Sequence, residues 1–264
     1  MHESSSYVCG TGDEPLCHRT VGGVLQDAAA RWPAREALVV ASQGVRLTYA
    51  ELLREVDRLA HGFLAMGLQP GDRVGIWAPN RAEWVVVQVG SALAGAVLVN
   101  VNPAYRRHEL EYALRQSGVS LLVHAEGFRD VDYGEVLAGV DAPALREAVA
   151  LGAGWEPFLA RGAGVPDADL EARGAALRPD EPINIQYTSG TTGSPKGATL
   201  SHRNILNNGH VIGEILGYTP ADRVCVPVPF YHCFGMVIGN LAAFTHGACV
   251  VVPAAAFDPA ATLA

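Results

Sequence analysis

The chain has 264 residues, of which 49% are hydrophobic and 17% are charged, and its formal net charge is −8 at pH 7. This composition is typical of a globular protein with a large core and excludes an intrinsically disordered region. The acidic balance argues against a nucleic-acid surface as the main function, whereas a nucleotide site needs only local positive charge.

The first half of the sequence predicts helices and strands in alternation. Residues 1–19 are polar and are expected to form a flexible tail. Thr48-Tyr49-Ala50-Glu51 has the pattern of a helix capping box, and Asn80 is expected to cap a later helix. Apolar residues at helical spacing predict helices over 20–31, 48–66, 82–94 and 106–116. Short apolar runs predict strands over 37–40, 74–77, 97–101 and 119–123.

The second half repeats the pattern after an irregular stretch. Residues 125–182 are expected to be a connector, with short helices near 134–149 and 155–161. Beyond it the sequence predicts strands over 182–187, 224–228 and 248–252, and helices over 202–216 and 234–244. Asp258 and Pro259 then have the pattern of a helix start. Because so short a helix is not stable, we expect the natural sequence to continue past residue 264.

This alternation predicts an α/β fold with layered, largely parallel sheets and flanking helices. We expect residues 20–181 to form a first α/β subdomain that includes the irregular connector. Residues 182–264 are expected to begin a second α/β subdomain, which carries the motif described next.

The segment Tyr187-Thr188-Ser189-Gly190-Thr191-Thr192-Gly193-Ser194-Pro195-Lys196-Gly197 is the most informative part of the sequence. Most of its residues are Gly, Ser or Thr. Small residues let backbone N–H groups approach an anion, hydroxyls add donors, and a lysine adds a point charge, so the segment suits a polyphosphate. Its spacing does not match a Walker A loop. A flexible surface linker is the alternative, but the segment directly follows an apolar strand and ends in Pro-Lys-Gly.

This segment resembles the signature loop of the acyl-adenylate-forming (AMP-binding) superfamily. In that superfamily the loop holds the β- and γ-phosphates of ATP while a carboxylate attacks the α-phosphate. The resemblance implies that the ATP-binding residues here are Thr188, Ser189, Gly190, Thr191, Thr192, Gly193, Ser194, Pro195, Lys196 and Gly197.

A second cluster, Phe230-Tyr231-His232-Cys233-Phe234-Gly235, follows a predicted strand. A histidine between aromatic residues is often a packed core residue, and neither a metal site at His232-Cys233 nor a nucleophilic Cys233 has suitable partners. The cluster resembles a second motif of the same superfamily. That resemblance implies that His232, together with Lys196, takes part in catalysis. It also implies that the acyl substrate contacts His232, Phe234, Gly235 and Met236.

The resemblance extends over residues 20–264, and the run 99–106 is similar to medium-chain fatty acyl-CoA synthetases. It implies activation of a carboxylic, fatty acid with ATP, Mg²⁺ and CoA, the last as co-substrate. The superfamily's later motifs, for adenine, ribose and Mg²⁺, and its C-terminal lid domain have no counterpart in this sequence, so we expect the chain alone to be inactive. Two alternatives stay open: a truncated, non-catalytic nucleotide- or partner-binding protein, and an adenylation domain that loads a carrier protein.

The cysteines and the apolar stretches bear on location. Five cysteines, an odd number without a Cys-x-x-Cys pair, indicate neither a disulfide framework nor a zinc cluster, and a reducing compartment is the simplest interpretation. No secretory signal is visible, and the longest apolar stretches are too short to span a bilayer. The sequence therefore predicts a cytoplasmic protein without a transmembrane segment or a nucleic-acid partner, and an oligomer is compatible with it.

Overall fold

A computed structural model of the chain describes residues 16–188 and 195–264. The helices are α1 Val21–Arg31, α2 Tyr49–Ala65, α3 Ala82–Ala94, α4 Arg107–Ser117, α5 Tyr133–Ala138, α6 Trp155–Ala160, α7 Asp167–Ala176, α8 His202–Leu216, α9 Ala242–His246 and α10 Pro259–Leu263. The strands are β1 Glu36–Val40, β2 Val45–Thr48, β3 Arg73–Trp77, β4 Val97–Val101, β5 Val119–His124, β6 Gly127–Phe128, β7 Val131–Asp132, β8 Glu147–Ala150, β9 Pro182–Thr188, β10 Lys196–Ser201, β11 Arg223–Cys225 and β12 Cys249–Val252. Segments 41–43 and 161–164 are 3₁₀-helical, and Phe234–Leu241 is a π-helix.

Two sheets carry the fold, and the predicted layered α/β architecture is confirmed. The six-stranded sheet has the order β10-β9-β4-β3-β5-β8 and is parallel except for the β9–β10 pair. The four-stranded sheet has the order β11-β12-β1-β2, with only β2 antiparallel. Each sheet takes strands from both sides of residue 182. The position at which the sequence predicts a second subdomain therefore lies inside the six-stranded sheet.

Helix α3 lies between the two sheets. Nearly all of its residues are buried, and it contacts α1, α2 and strands of both sheets. A helix that is apolar on all sides is typical of such a central position. Helix α2 packs on it with the fully buried side chains Leu52, Val56, Leu59 and Phe63.

Local capping explains where most helices begin. Thr20, Thr48, Ser201 and Asp258 each accept a hydrogen bond from a backbone N–H in the first turn of α1, α2, α8 and α10, respectively. The capping box predicted at Thr48 is confirmed. The helix start predicted at Asp258 is confirmed as well.

Three predictions about local structure are wrong, and one strand was missed. Asn80 does not cap α3; the side-chain oxygen of Gln43 accepts a hydrogen bond from the Ala82 N–H at 2.7 Å instead. The helix predicted over 134–149 ends at residue 138, and residues 147–150 pair with β5 as a strand. The strand predicted over 224–228 pairs only up to residue 225. Strand β10 was not predicted; its residues are mostly exposed and it forms by pairing with β9.

The predicted tail is partly attached to the fold. Residues 1–15 lie outside the described part of the chain. Cys17 exchanges two backbone hydrogen bonds with the side-chain amide of Asn207 on α8, at 2.6 and 3.0 Å. In the described part of the chain, no helix is long and apolar enough to cross a membrane.

Candidate functional site

Strands β9 and β10 form a hairpin, and the predicted phosphate loop is the part of the sequence that connects them. Thr188 and Lys196 are the last paired residues, and the Thr188 hydroxyl lies 3.5 Å from the carbonyl oxygen of Lys196. Both side chains are exposed. The predicted residues Ser189–Ser194 lie outside the described residues, so the structure places only the two ends of the predicted cradle, Thr188 and Pro195–Gly197. The exposed hydroxyl and ammonium groups at these ends suit an anion.

The hairpin changes how this loop could hold a phosphate. The sequence predicts a loop that leads towards a helix, but the five further residues of β10 separate Lys196 from the start of α8. Five strand residues span roughly 17 Å. The partial positive charge at the N-terminus of α8 is therefore at the far end of β10, and its effect falls off within one turn. Positive charge next to the loop comes from Lys196.

Two tyrosines hold the loop end of this hairpin against α4. The Tyr112 hydroxyl donates a hydrogen bond to the carbonyl oxygen of Pro195 at 2.9 Å, and the Tyr187 hydroxyl donates to that of Ala113 at 3.0 Å. The two rings meet edge to face, with centroids 6.4 Å apart. Burial raises the pKa of Tyr187, so this hydroxyl stays a neutral donor. No sequence pattern pointed to Tyr112, because its partner lies 83 residues away.

His232 is exposed and lies two residues before the π-helical segment Phe234–Leu241. Its Nδ1 accepts a hydrogen bond from the backbone N–H of Phe234 at 3.2 Å. In the neutral ring, an accepting Nδ1 places the proton on Nε2. His232 therefore presents an Nε2–H donor away from its own backbone. A π-helix is rare and is often found at functional sites.

Buried amides fix the backbone on either side of His232. The Asn100 side-chain amide donates to the carbonyl oxygen of Tyr231 at 3.1 Å and lies 3.0 Å from the sulfur of Met236. Gln186 reaches the same two atoms, each at 3.3 Å. Asn100 and Gln186 are register partners on the parallel strands β4 and β9, so their side chains lie on one face.

This arrangement brings the two predicted motifs to one edge of the sheet. Gln186 lies two residues before Thr188 on β9, a distance of about 7 Å along a strand. Because Gln186 contacts Tyr231, the residue before His232, the histidine lies near the loop end of the β9–β10 hairpin. The carboxyl ends of parallel strands are the usual place for ligand sites in open α/β sheets.

Further buried amide side chains make hydrogen bonds to the same segment. Gln88 on α3 donates to the carbonyl oxygen of Met236 and accepts from Asn240, both at 2.9 Å. Asn80 donates to the carbonyl oxygen of Val228 at 2.9 Å and accepts from the Phe230 N–H at 2.8 Å. None of these residues was predicted from the sequence as part of the site. The feature that could have identified them in the sequence is an amide side chain within an otherwise apolar run.

The residues predicted to contact the acyl substrate have different surroundings. A Cβ on Gly235 would lie 2.4 Å from the carbonyl oxygen of Pro229, so the backbone approach itself requires glycine. Met236 is buried, and Phe234 is 52% exposed. Of these three, only Phe234 offers exposed apolar surface, and substrate contact by the set stays a prediction.

The chemistry of this segment limits what else it could bind. Burial raises the pKa of the Cys233 thiol, which disfavours a nucleophilic thiolate. Within the described residues, the hydrogen bonds around His232 involve amides, carbonyls and a thioether, and no carboxylate takes part. This is not the set of oxygen ligands that Mg²⁺ prefers.

Comparison with known proteins places the chain in a family. A family model described as AMP-binding enzyme matches residues 25–264. The mitochondrial medium-chain acyl-CoA ligases ACSF2 of Rattus norvegicus and Homo sapiens are each 40% identical to the chain over 96% of its length. The chain spans 45% of the length of each of these two relatives.

Solved structures agree with this assignment. The N-terminal domain of FACL13 from Mycobacterium tuberculosis, in an inhibitor-bound crystal structure, matches 91% of the chain with a TM-score of 0.80 and 25% identity, and 58% of that domain is covered. MbtA of Mycobacterium smegmatis matches 89% of the chain with a TM-score of 0.76 and 32% identity, and 44% of that protein is covered.

Proposed function

The chain belongs to the AMP-binding enzyme family, and from that premise we propose that it serves the ATP-dependent activation of a fatty acid. In the first step, a carboxylate oxygen of the acid attacks the α-phosphorus of ATP, and the bond to pyrophosphate breaks. In the second step, the thiol of CoA attacks the carbonyl carbon of the acyl-adenylate and AMP leaves. The observation that carries the proposal is the meeting of the Lys196 hairpin and the His232 segment at one sheet edge.

Lys196 and the hairpin would hold the leaving pyrophosphate. Lys196 is exposed and pairs with Thr188 across the hairpin, and it is the only lysine in the sequence. A fixed cation next to the β- and γ-phosphates stabilises the charge that builds up on pyrophosphate as it leaves. Tyr112 keeps this end of the hairpin against α4, so the cation is presented from a supported backbone.

His232 would orient the acid. Its Nε2–H can donate a hydrogen bond to one carboxylate oxygen, which leaves the other oxygen to attack phosphorus. The amide contacts of Asn100 and Gln186 fix the backbone before the histidine, and such pre-organisation is what positioning of a reactant requires. Mg²⁺, when bound with ATP, neutralises phosphate charge; the contacts around His232 do not suit it, and we assign it no residue.

The chain spans only 45% of the length of the two named relatives, and this decides which protein is used in the assay. The described residues supply the phosphate end and the histidine end of the proposed site. We propose that the 264-residue chain, assayed alone, forms no acyl-CoA. Tests of catalysis therefore use the natural protein that contains this chain.

Acid-dependent exchange of labelled pyrophosphate into ATP tests the first step. We expect Lys196→Ala to raise the ATP concentration needed for half-maximal exchange by about tenfold to a hundredfold, the range of a lost charged hydrogen bond. Lys196→Arg should recover part of the loss. The exposed Arg178→Ala is the matched control and should exchange at the wild-type rate. Unchanged ATP dependence in Lys196→Ala would refute the assignment.

The acid and the acceptor need separate measurements. The two named relatives are medium-chain acyl-CoA ligases, and we propose a medium-chain fatty acid for this chain. Exchange rates across a series of fatty acids of increasing length should show a maximum at medium length. Thioester formation should occur with free CoA; a requirement for a carrier protein in place of CoA would contradict this choice.

Location is a further part of the proposal. The cysteines at 17, 225, 233 and 249 are free thiols, as a reducing compartment requires, and we propose the cytoplasm. The two ligase relatives carry the word mitochondrial in their names. Fractionation of the source cells, with an antibody against the chain, would separate the two outcomes.

A further inference from the structure

Three potential metal ligands meet on the outer side of α8 and α9, in what we call the His-Glu-His cluster: His210, Glu214 and His246. His210 and Glu214 lie one turn apart on α8, and His246 is the last residue of α9. One ligand atom from each lies within 4.8 Å of the others. The cluster is separate from the hairpin and from His232, and the proposed reaction does not use it.

The distances in the cluster suit a tetrahedral ion. His246 Nε2 lies 3.0 Å and His210 Nε2 lies 3.9 Å from the same carboxylate oxygen of Glu214. Zinc–nitrogen and zinc–oxygen bonds of about 2.0–2.1 Å place tetrahedral ligand atoms about 3.3 Å apart, between these two values. The two imidazole rings are within 20° of parallel, with centroids 5.3 Å apart. Small rotations of side chains would therefore form three bonds to one ion.

His246 is already oriented for coordination through Nε2. Its Nδ1 lies 2.9 Å from the carbonyl oxygen of Ala242 and 2.9 Å from the Thr245 hydroxyl. A carbonyl oxygen can only accept, so Nδ1 carries the proton and the lone pair of the neutral ring is on Nε2. Histidine ligands of metals commonly donate their other N–H to such an acceptor.

The surroundings hold the His246 ring in place. Its side chain is 10% exposed, whereas that of Glu214 is 48% exposed and so leaves the cluster open to solvent. A Cβ on residue 213 would lie 2.4 Å from the ring, so Gly213 permits the ring to lie against α8. Tyr218 meets the ring edge to face at 6.4 Å. Helix α8 and the segment after it therefore hold the His246 ring in position before an ion binds.

We propose that the His-Glu-His cluster binds one Zn²⁺ ion, with two imidazole nitrogens and one carboxylate oxygen as protein ligands and water in the fourth position. The ion would tie α8 to α9. Helix α8 directly follows the strand that carries Lys196, and α9 directly continues the π-helix after His232. The metal would therefore brace the two segments that follow the predicted motifs and would take no part in the proposed reaction.

Zinc binding by the 264-residue chain tests the proposal. Any purification tag is removed, and the chain competes with a chromogenic chelator for Zn²⁺. We expect one tight equivalent in the wild type, and at least about tenfold weaker binding in His210→Gln and in Glu214→Gln, both at solvent-accessible positions. His108→Gln, an exposed histidine on α4, is the matched control and should bind as the wild type does.

A second readout separates metal binding from a simple ion pair between His246 and Glu214. Zn²⁺ should raise the melting temperature of the wild type and leave that of Glu214→Gln nearly unchanged, because only an ion bound to the native state stabilises it. Co²⁺ should give the absorption spectrum of a tetrahedral site in the wild type alone. Equal Zn²⁺ affinity in the wild type, His210→Gln and Glu214→Gln would overturn the proposal.

Discussion

The segment that carries His232 depends on one buried amide, that of Asn80. This side chain is 4% exposed and makes two hydrogen bonds to the backbone before the histidine, to the Val228 carbonyl oxygen and from the Phe230 N–H. Asn80→Ala removes both partners at once. We therefore expect this substitution to destabilise the chain and to loosen the His232 segment, whose first residue, Phe230, Asn80 holds.

The size of the effect follows from the two backbone groups that lose their partners. Phe230 is fully buried, so without Asn80 its N–H would have neither a protein partner nor water as acceptor. This lowers the free energy of unfolding by about 1–3 kcal/mol. The Val228 carbonyl oxygen is less buried and would find water more easily, at about 1 kcal/mol. The free energy of unfolding should fall by about 2–4 kcal/mol, which shifts the midpoint of urea unfolding by about 1 M.

Urea unfolding of the chain, followed by far-ultraviolet circular dichroism, measures this loss. Asn208→Ala is the matched control, since Asn208 is an exposed asparagine on α8. Its midpoint should stay within about 0.2 M of the wild type. If Asn80→Ala unfolds at the same urea concentration as Asn208→Ala, the amide does not hold the segment and the reasoning fails.

Two further substitutions test the packing and the pH response. Gly235→Ala places a Cβ 2.4 Å from the Pro229 carbonyl oxygen and should lower the melting temperature sharply. Gly164→Ala is the control, because a Cβ there has no atom within 4 Å, and its melting temperature should stay nearly unchanged. Equal melting temperatures of the two variants would contradict the close approach at Gly235. Burial lowers the pKa of His202 from 6.5 to about 4, so its contribution to stability is full above pH 6.5 and falls by about 3 kcal/mol as the pH drops to 4. Burial raises the pKa of Asp57 to about 6, so the contribution of Asp57 to stability increases as the pH drops and opposes that of His202. The quantity to compare is therefore the difference in unfolding free energy between the wild type and His202→Gln. That difference should change by about 3 kcal/mol between pH 7 and pH 4, and a constant difference would contradict the assignment.

Local signals in the sequence predicted most of the helices and strands correctly. A cap such as Thr48 or Ser201 acts within its own first turn, so its pattern is visible over four residues. The same local reasoning failed for Asn80, whose partners lie about 150 residues away. An asparagine before a helix looks the same in sequence whether it caps that helix or binds a distant backbone.

The candidate site shows the same division. The residue types of the loop and of the His232 cluster resembled two motifs of one superfamily, and the family is confirmed, whereas what each motif binds stays a prediction. Their meeting depends on the register of Asn100 with Gln186, which only the sheet reveals. Strand β10 was missed because its pairing with β9, and not an apolar pattern, forms it. The loop therefore ends a hairpin and does not start a helix.

Chemical modification of Lys196 tests the central claim most directly. The natural protein that contains this chain is treated with an amine-reactive reagent, and the peptide carrying Lys196 is quantified by mass spectrometry with ATP, with AMP and without nucleotide. If the hairpin holds the β- and γ-phosphates, ATP should slow modification of Lys196 strongly and AMP, which lacks them, only weakly. Equal rates with ATP, with AMP and without nucleotide would contradict the account.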